Sequence, residues 1–178
     1  PAYMEMSSVN PVFMLPGALA ERGDEIAKDF AASCLAGGGQ FCTNPGVVVV
    51  PQGEAGDAFV RAVREAFAAA PAATLLAHGV LDHLQHSVAA LRAAGAEVLC
   101  GGSRGDGAGY RFRPTLLAAD AKRFVTHATA LQQEAFGPVS LLVRADGDAA
   151  MESVARTIEG NLTGTIYSAR DGRDDAEA

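Results

Sequence analysis

The groups in this chain that could do chemistry are three thiols, a handful of carboxylates and one glycine-rich loop. Residues 36–50 read AGGGQFCTNPGVVVV, so Cys42 sits between a glycine run and a run of valines. Glycines let a ligand approach backbone N–H groups, and a cysteine in such a loop can aim its sulfur at the same place, which makes a thiolate nucleophile beside an oxyanion site one reading. The other reading is a packed thiol, because free cysteines are among the most buried residue types. For Cys42 the local residues leave both open. Cys34, on the apolar face of a predicted helix, and Cys100, at a strand end, read as core. His78, His83 and His86 lie close together, and the spacing of the last two could hold a metal, but no Asp, Glu or Cys partner pattern accompanies them. They read as a solvated helix face with no metal, and His127 as a loop residue without a role.

The elements that would position these groups follow from periodicity. "NPVFML" at 10–15 reads as a buried strand ended by Pro16-Gly17. A helix from Ala18 to about Leu35 follows, with Ile26, Phe30, Ala31 and Cys34 inward and Glu21, Arg22, Asp24, Glu25 and Lys28 outward. The glycines at 37–39 stop it. "GVVVV" reads as a strand covered on both faces. Asp57 is expected to cap a helix carrying Phe59, Val63 and Phe67, and a further helix over about 80–94 carries Leu81, Leu84, Val88 and Leu91. "AEVLCGG", "RFRPTLL" and "VSLLVRA" read as three strands, with "SRGDGAG" a loop between the first two. A last helix over roughly 148–160 precedes "TGTIYS", and the polar ending "ARDGRDDAEA" reads as an exposed tail or the start of a helix. The alternation predicts an α/β domain with a largely parallel sheet and helices on both faces.

Bulk properties narrow the functions. The 178 residues suit one domain, and the formal charge of −7 with a pI near 5.0 argues against a nucleic-acid partner. No apolar run approaches the roughly 20 residues needed to cross a bilayer. "PAYMEMSSVNPVFMLPG" lacks the charged start and cleavage site of a signal peptide, so a cytoplasmic protein, or a piece of a longer one, is expected. An odd count of three cysteines at irregular spacing predicts reduced thiols.

Three segments resemble the aldehyde dehydrogenase superfamily, in family order. "GGGQFCTNPG" resembles its nucleophile loop, with Cys42 at the catalytic position. "MEMSSVNP" is similar to its Glu-Leu-Gly-Gly motif, with Glu5 at the general base. "QEAFGPV" is similar to its Glu-Glu-x-Phe-Gly-Pro-Val motif, with Glu134 and Phe136 at the cofactor-contacting positions. Met6-Ser7-Ser8 replaces Leu-Gly-Gly, and Gln133 replaces the first Glu of the later motif. With "VNPVFMLPGAL", these details are most similar to the branch that includes oxoglutarate semialdehyde (2,5-dioxopentanoate) dehydrogenases and some bacterial long-chain aldehyde dehydrogenases.

The resemblance implies oxidation of a small aldehyde through a Cys42 thiohemiacetal and thioester, with NADP or NAD as cofactor and a homo-oligomer as the complete enzyme. No GxGxxG follows a predicted strand, and "GGSRGDGAG" lies between strands without an opening helix. Residues 1–178 are therefore expected to be a partial, nucleophile-bearing catalytic domain, with the family's N-terminal cofactor domain and C-terminal end absent. Alone, it should neither bind the cofactor tightly nor act as a dehydrogenase. The rival readings are a cysteine acyltransferase or hydrolase, which would want a His base, and a noncatalytic ligand-binding module.

Overall fold

The computed structural model describes residues 7–175. Six strands form one sheet in the order β4-β6-β7-β2-β1-β8, comprising Glu97–Cys100, Thr115–Asp120, Val139–Ala145, Val47–Pro51, Val12–Met14 and Thr165–Tyr167. All neighbours pair in parallel except β4, which runs antiparallel to β6. The expected α/β fold with a mostly parallel sheet is thus present. A separate antiparallel pair joins β3 (Ala73–Thr74) to β5 (Arg111–Phe112).

The valine run shows how the layers form. All of β2 is buried, and period-two alternation sends Val48 and Val50 to one face and Val47 and Val49 to the other. Helices α1 (Pro16–Leu35) and α2 (Glu54–Ala69) cover the first face through Ile26, Phe30, Phe59 and Val63, with the Phe30 and Phe59 ring centroids 5.8 Å apart. Helices α3 (His78–Ala93), α4 (Ala121–Thr126), α5 (Ala128–Leu131) and α6 (Asp148–Thr157) cover the second through Leu81, Leu84, Phe124, Leu131 and Val154. A strand apolar on both sides needs two helical layers, and the amphipathic stripes read in the sequence supply them.

Several expectations need correction. Asp57 does not cap α2: the turn through Gly53 (φ 106°) starts the helix at Glu54, leaving Asp57 in the first turn, where its Oδ1 accepts from Arg144 at 2.6 Å. "RFRPTLL" is two strands. Pro114, without an N–H, separates β5 from β6, and each piece pairs with a different partner. Two short helices over Ala121–Thr126 and Ala128–Leu131 are absent from the sequence reading; His127 lies in the turn between them, and Asp120 caps the first by accepting from the Arg123 N–H at 2.7 Å. α6 ends at Thr157 because Ile158 is extended.

The polar ending is only partly exposed. Asp174 is 3% exposed and accepts from the N–H groups of Gly17 (2.9 Å), Ala18 (3.0 Å) and Ala169 (2.7 Å). Helix α1 opens on Leu15-Pro16 with no capping side chain of its own, so a carboxylate from the far end of the chain fills that role. A Cβ on Gly17 would lie 2.3 Å from the Asp174 carboxylate, which explains the glycine there. Asp174→Ala strands three N–H groups and should cost about 2–3 kcal/mol of stability in urea unfolding. A loss within error would mean the cap contributes nothing.

Candidate active site

In a parallel sheet every strand begins at the same edge, so the loops preceding adjacent strands converge. Four such loops meet here: 7–11 before β1, 40–46 before β2, 133–138 before β7 and 158–164 before β8. Three of them hold the sequence motifs, and the register of Val12 against Val48 and of Val47 against Leu141 fixes their relative height. Glu5 lies outside the described residues.

The loop carrying Cys42 is shaped by glycine. Gly37, Gly38 and Gly39 all take positive φ (57°, 68° and 69°), ending the 3₁₀ turn over Ala36–Gly39 that follows α1. At Gly39 the glycine is also needed for space, because a Cβ would lie 2.1 Å from the carbonyl oxygen of Gly137 in the Phe-Gly-Pro turn. Gln40 ties the loop down by donating to the carbonyls of Gly37 (3.0 Å) and Thr74 (3.2 Å) and accepting from the Leu76 N–H (2.9 Å). Asn44 reaches across to the Gly137 carbonyl at 3.3 Å. The nucleophile loop and the segment carrying Glu134 and Phe136 therefore touch backbone to backbone.

The three cysteines now differ physically. Cys34 is fully buried against the Pro45 carbonyl (3.6 Å), and burial pushes its thiol well above the usual range. Cys100 is half-buried, and burial raises its thiol too, partly offset by the backbone of Leu116 and the charge of Arg64. Cys42 is exposed in a turn closed by the Asn44 N–H on the Phe41 carbonyl at 3.0 Å. Among the described residues no acceptor meets the Cys42 N–H. An accessible sulfur beside a free backbone donor is the arrangement thiol acyl chemistry requires.

Glu134 and Phe136 are both half-buried at this edge, with a Glu134 oxygen 3.4 Å from the Ser8 N–H. With Ser8, Gly39 and Asn44 they help line a cavity of about 20 Å³ under the loop. That is room for roughly one water, far too little for a nicotinamide ring. Any cofactor contact would use the open sides of these two residues. The histidines stand apart: His78 pairs with Asp82 at 2.8 Å, and His86 Nδ1 lies 2.6 Å from the Asp82 carbonyl. Among the described residues no group of three or more His, Cys, Asp or Glu is placed to hold a metal.

Two residues of this edge went unnoticed in the sequence. Asn10, 3% exposed with φ 44°, donates from Nδ2 to the carbonyls of Cys42 and Asn44, both at 2.9 Å. Asn161 Oδ1 accepts from the N–H groups of Val9 (2.7 Å) and Asn10 (3.2 Å). Asn10 lies inside the "MEMSSVNP" segment and carries a turn signal before Pro11, but no residue-level signal pairs either Asn with the Cys42 loop.

An α/β domain with the loops of four parallel strands gathered around an exposed cysteine is the class this structure defines. The chain belongs to the aldehyde dehydrogenase family, whose sequence pattern matches residues 1–175. It is 37% identical over 179 aligned residues to alpha-ketoglutaric semialdehyde dehydrogenase 2 of Azospirillum brasilense, covering 97% of this chain and 33% of that protein. It is 35% identical to alpha-ketoglutaric semialdehyde dehydrogenase of Acinetobacter baylyi, covering 94% of this chain and 32% of that protein. The chain thus spans about a third of the length of these curated relatives. Its fold matches that of an NAD-dependent aldehyde dehydrogenase from Sinorhizobium meliloti, with a TM-score of 0.81, 20% identity, and coverage of 97% of this chain and 35% of that one. No helix among the described residues is long and apolar enough to cross a membrane.

Two outcomes test this geometry. Under limiting iodoacetamide, peptide mapping should find Cys42 modified at least about ten times faster than Cys34, with Cys100 between them. Equal rates in the folded chain would contradict the exposures described. Gly39→Ala should lower stability by about 2 kcal/mol or more, from positive φ and the clash with Gly137. Wild-type stability would mean the two loops are not in contact.

Proposed function

We propose that this chain carries the nucleophile-bearing site of an NAD(P)-dependent aldehyde dehydrogenase acting on a semialdehyde of the alpha-ketoglutaric type. The observation that carries the reading is Cys42: of the three thiols it alone is exposed, and its loop abuts the segment holding Glu134 and Phe136. Family membership favours this over a cysteine hydrolase or a noncatalytic module, and the substrate class follows the names of the two relatives above.

In this reading the Cys42 thiolate attacks the aldehyde carbon, forming the C–S bond and a thiohemiacetal oxyanion. The Cys42 N–H donates to that oxygen. NAD(P), when bound, supplies the two-electron acceptor that converts the thiohemiacetal to a thioester. Glu134 would offer its carboxylate to ribose hydroxyls, and Phe136 would pack near the nicotinamide side. The two fit this role in being half-buried, so each keeps part of its surface exposed. Glu5, on the resemblance alone, takes a proton from the water that cleaves the thioester, releasing the carboxylate and the Cys42 thiol.

The test is NAD and NADP reduction with 2,5-dioxopentanoate by the full open reading frame encoding this chain, by the 178-residue chain itself, and by Cys42→Ser in the longer form. Turnover is expected from the longer form only, with kcat lowered at least about a thousandfold by Cys42→Ser. Activity that survives Cys42→Ser would overturn the assignment, and acylation of Cys42 without reduction of either cofactor would favour a thiol hydrolase.

A further inference from the structure

The candidate nucleophile is held by groups that no sequence motif singled out. The turn containing Cys42 has one internal hydrogen bond, from the Asn44 N–H to the Phe41 carbonyl, and is exposed over Phe41–Thr43. Gln40 and the Asn44 side chain anchor the two flanks of this turn, but neither touches Cys42 itself. The contact to Cys42 is made by the Asn10 amide, whose two N–H bonds reach the carbonyls of Cys42 and Asn44, the residues flanking Thr43. The Cys42 carbonyl belongs to the planar peptide unit 42–43, while the Phe41 carbonyl, held by the Asn44 N–H at 3.0 Å, belongs to the unit 41–42 that carries the Cys42 N–H. With Asn10 fixing the first plane and the turn bond the second, the N–H and Cα–Cβ directions of Cys42 are set.

Asn10 is itself placed by a second layer. Its φ of 44° lies in the left-handed region, where Asn is among the few side chains tolerated. Asn161 Oδ1 holds the N–H groups of Val9 and Asn10, while Asn161 Nδ2 donates to the Glu159 carbonyl at 2.8 Å. Asn10 Oδ1 accepts from Ser8 Oγ (2.9 Å) and Thr163 Oγ1 (3.0 Å), which fixes the amide with Nδ2 toward Cys42. Ser8 Oγ in turn accepts from the Leu162 N–H at 3.0 Å. Every polar atom of the Asn10 side chain is thus committed, so rotation would break several bonds in a buried site.

We propose that Asn10, oriented by Asn161 and Thr163, is a positioning residue that aims the Cys42 sulfur and N–H at a common point, so that an oxyanion formed on a Cys42 adduct meets that N–H. The inference rests on Cys42 being the nucleophile. It makes the loop before β8 a functional part of a site whose chemistry lies in the loop before β2.

Comparing two reactions at one thiol separates aim from accessibility. Iodoacetamide alkylation displaces iodide from a saturated carbon and forms no oxyanion. Acylation by p-nitrophenyl acetate joins sulfur to the carbonyl carbon, passes through an oxyanion and expels p-nitrophenolate, leaving a thioester. The ratio of acylation to alkylation rates at Cys42, followed by peptide mass in this chain, should exceed that of N-acetylcysteine. In Asn10→Gly, which accommodates the positive φ but removes the amide, the ratio should fall about ten- to a hundredfold while alkylation changes little. Asn161→Ala should behave alike, and Asn161→Asp, which keeps the acceptor, should restore most of the ratio. Should Asn10→Gly fail to fold, Thr163→Val, at an exposed position, should still lower the ratio by about threefold. A wild-type ratio no higher than that of N-acetylcysteine would overturn both the nucleophile reading and the inference. An elevated wild-type ratio left unchanged by Asn10→Gly, or by Thr163→Val in its place, would overturn the inference alone.

Discussion

The structure depends on β2 lying between β1 and β7 in parallel register, buried on both faces. Every backbone group of a central strand must find a partner, and every side chain of this one must find an apolar neighbour, so its position admits almost no slip. The consequence for chemistry is geometric. Parallel strands begin at one edge, and the loops ahead of β8, β1, β2 and β7 have nowhere else to go. In open α/β sheets ligands commonly gather at the carboxyl ends of the strands; here the motif-bearing loops gather at the amino ends.

Backbone proximity then does what side chains alone could not. The loop of Cys42 reaches the Phe-Gly-Pro turn because Gly39 has no Cβ where the Gly137 carbonyl sits. The same logic operates at the far side of the domain, where Gly17 leaves room for the Asp174 carboxylate against the start of α1. In both places a glycine permits a contact between segments distant in the chain, and a hydrogen-bonding group then fixes it. Burial sorts the thiols in the same way. Cys34 is held uncharged inside the α1 layer, whereas Cys42 stands on a turn that the packed layers leave exposed.

Most of the elements were legible from sequence because they are local. The valine run, the stripe Leu81, Leu84, Val88 and Leu91, and "VSLLVRA" announce themselves through spacing and residue type, and the structure places them as strand, helix and strand. The motif around Cys42 was legible through its resemblance to a family, and the family assignment holds. Errors arose where a local rule met a nonlocal partner. Asp57 has the chemistry of a cap but is engaged by Arg144, and the polar Asp174 is buried because three N–H groups await it. "RFRPTLL" was divided by a change of pairing partner at Pro114.

The sequence by itself determined the α/β class, the two-sided central strand, the family and the identity of the candidate nucleophile, since each is written in residue types, periodicity or motif order along the chain and needs no knowledge of which segments touch. Only the tertiary structure decided which thiol is accessible, and that Asn10 and Asn161, from loops more than a hundred residues apart in the chain, meet beneath Cys42. The physical reason is that hydrogen-bond partnership depends on distance in space, and a buried amide carries no periodic signature that would reveal its partners in advance.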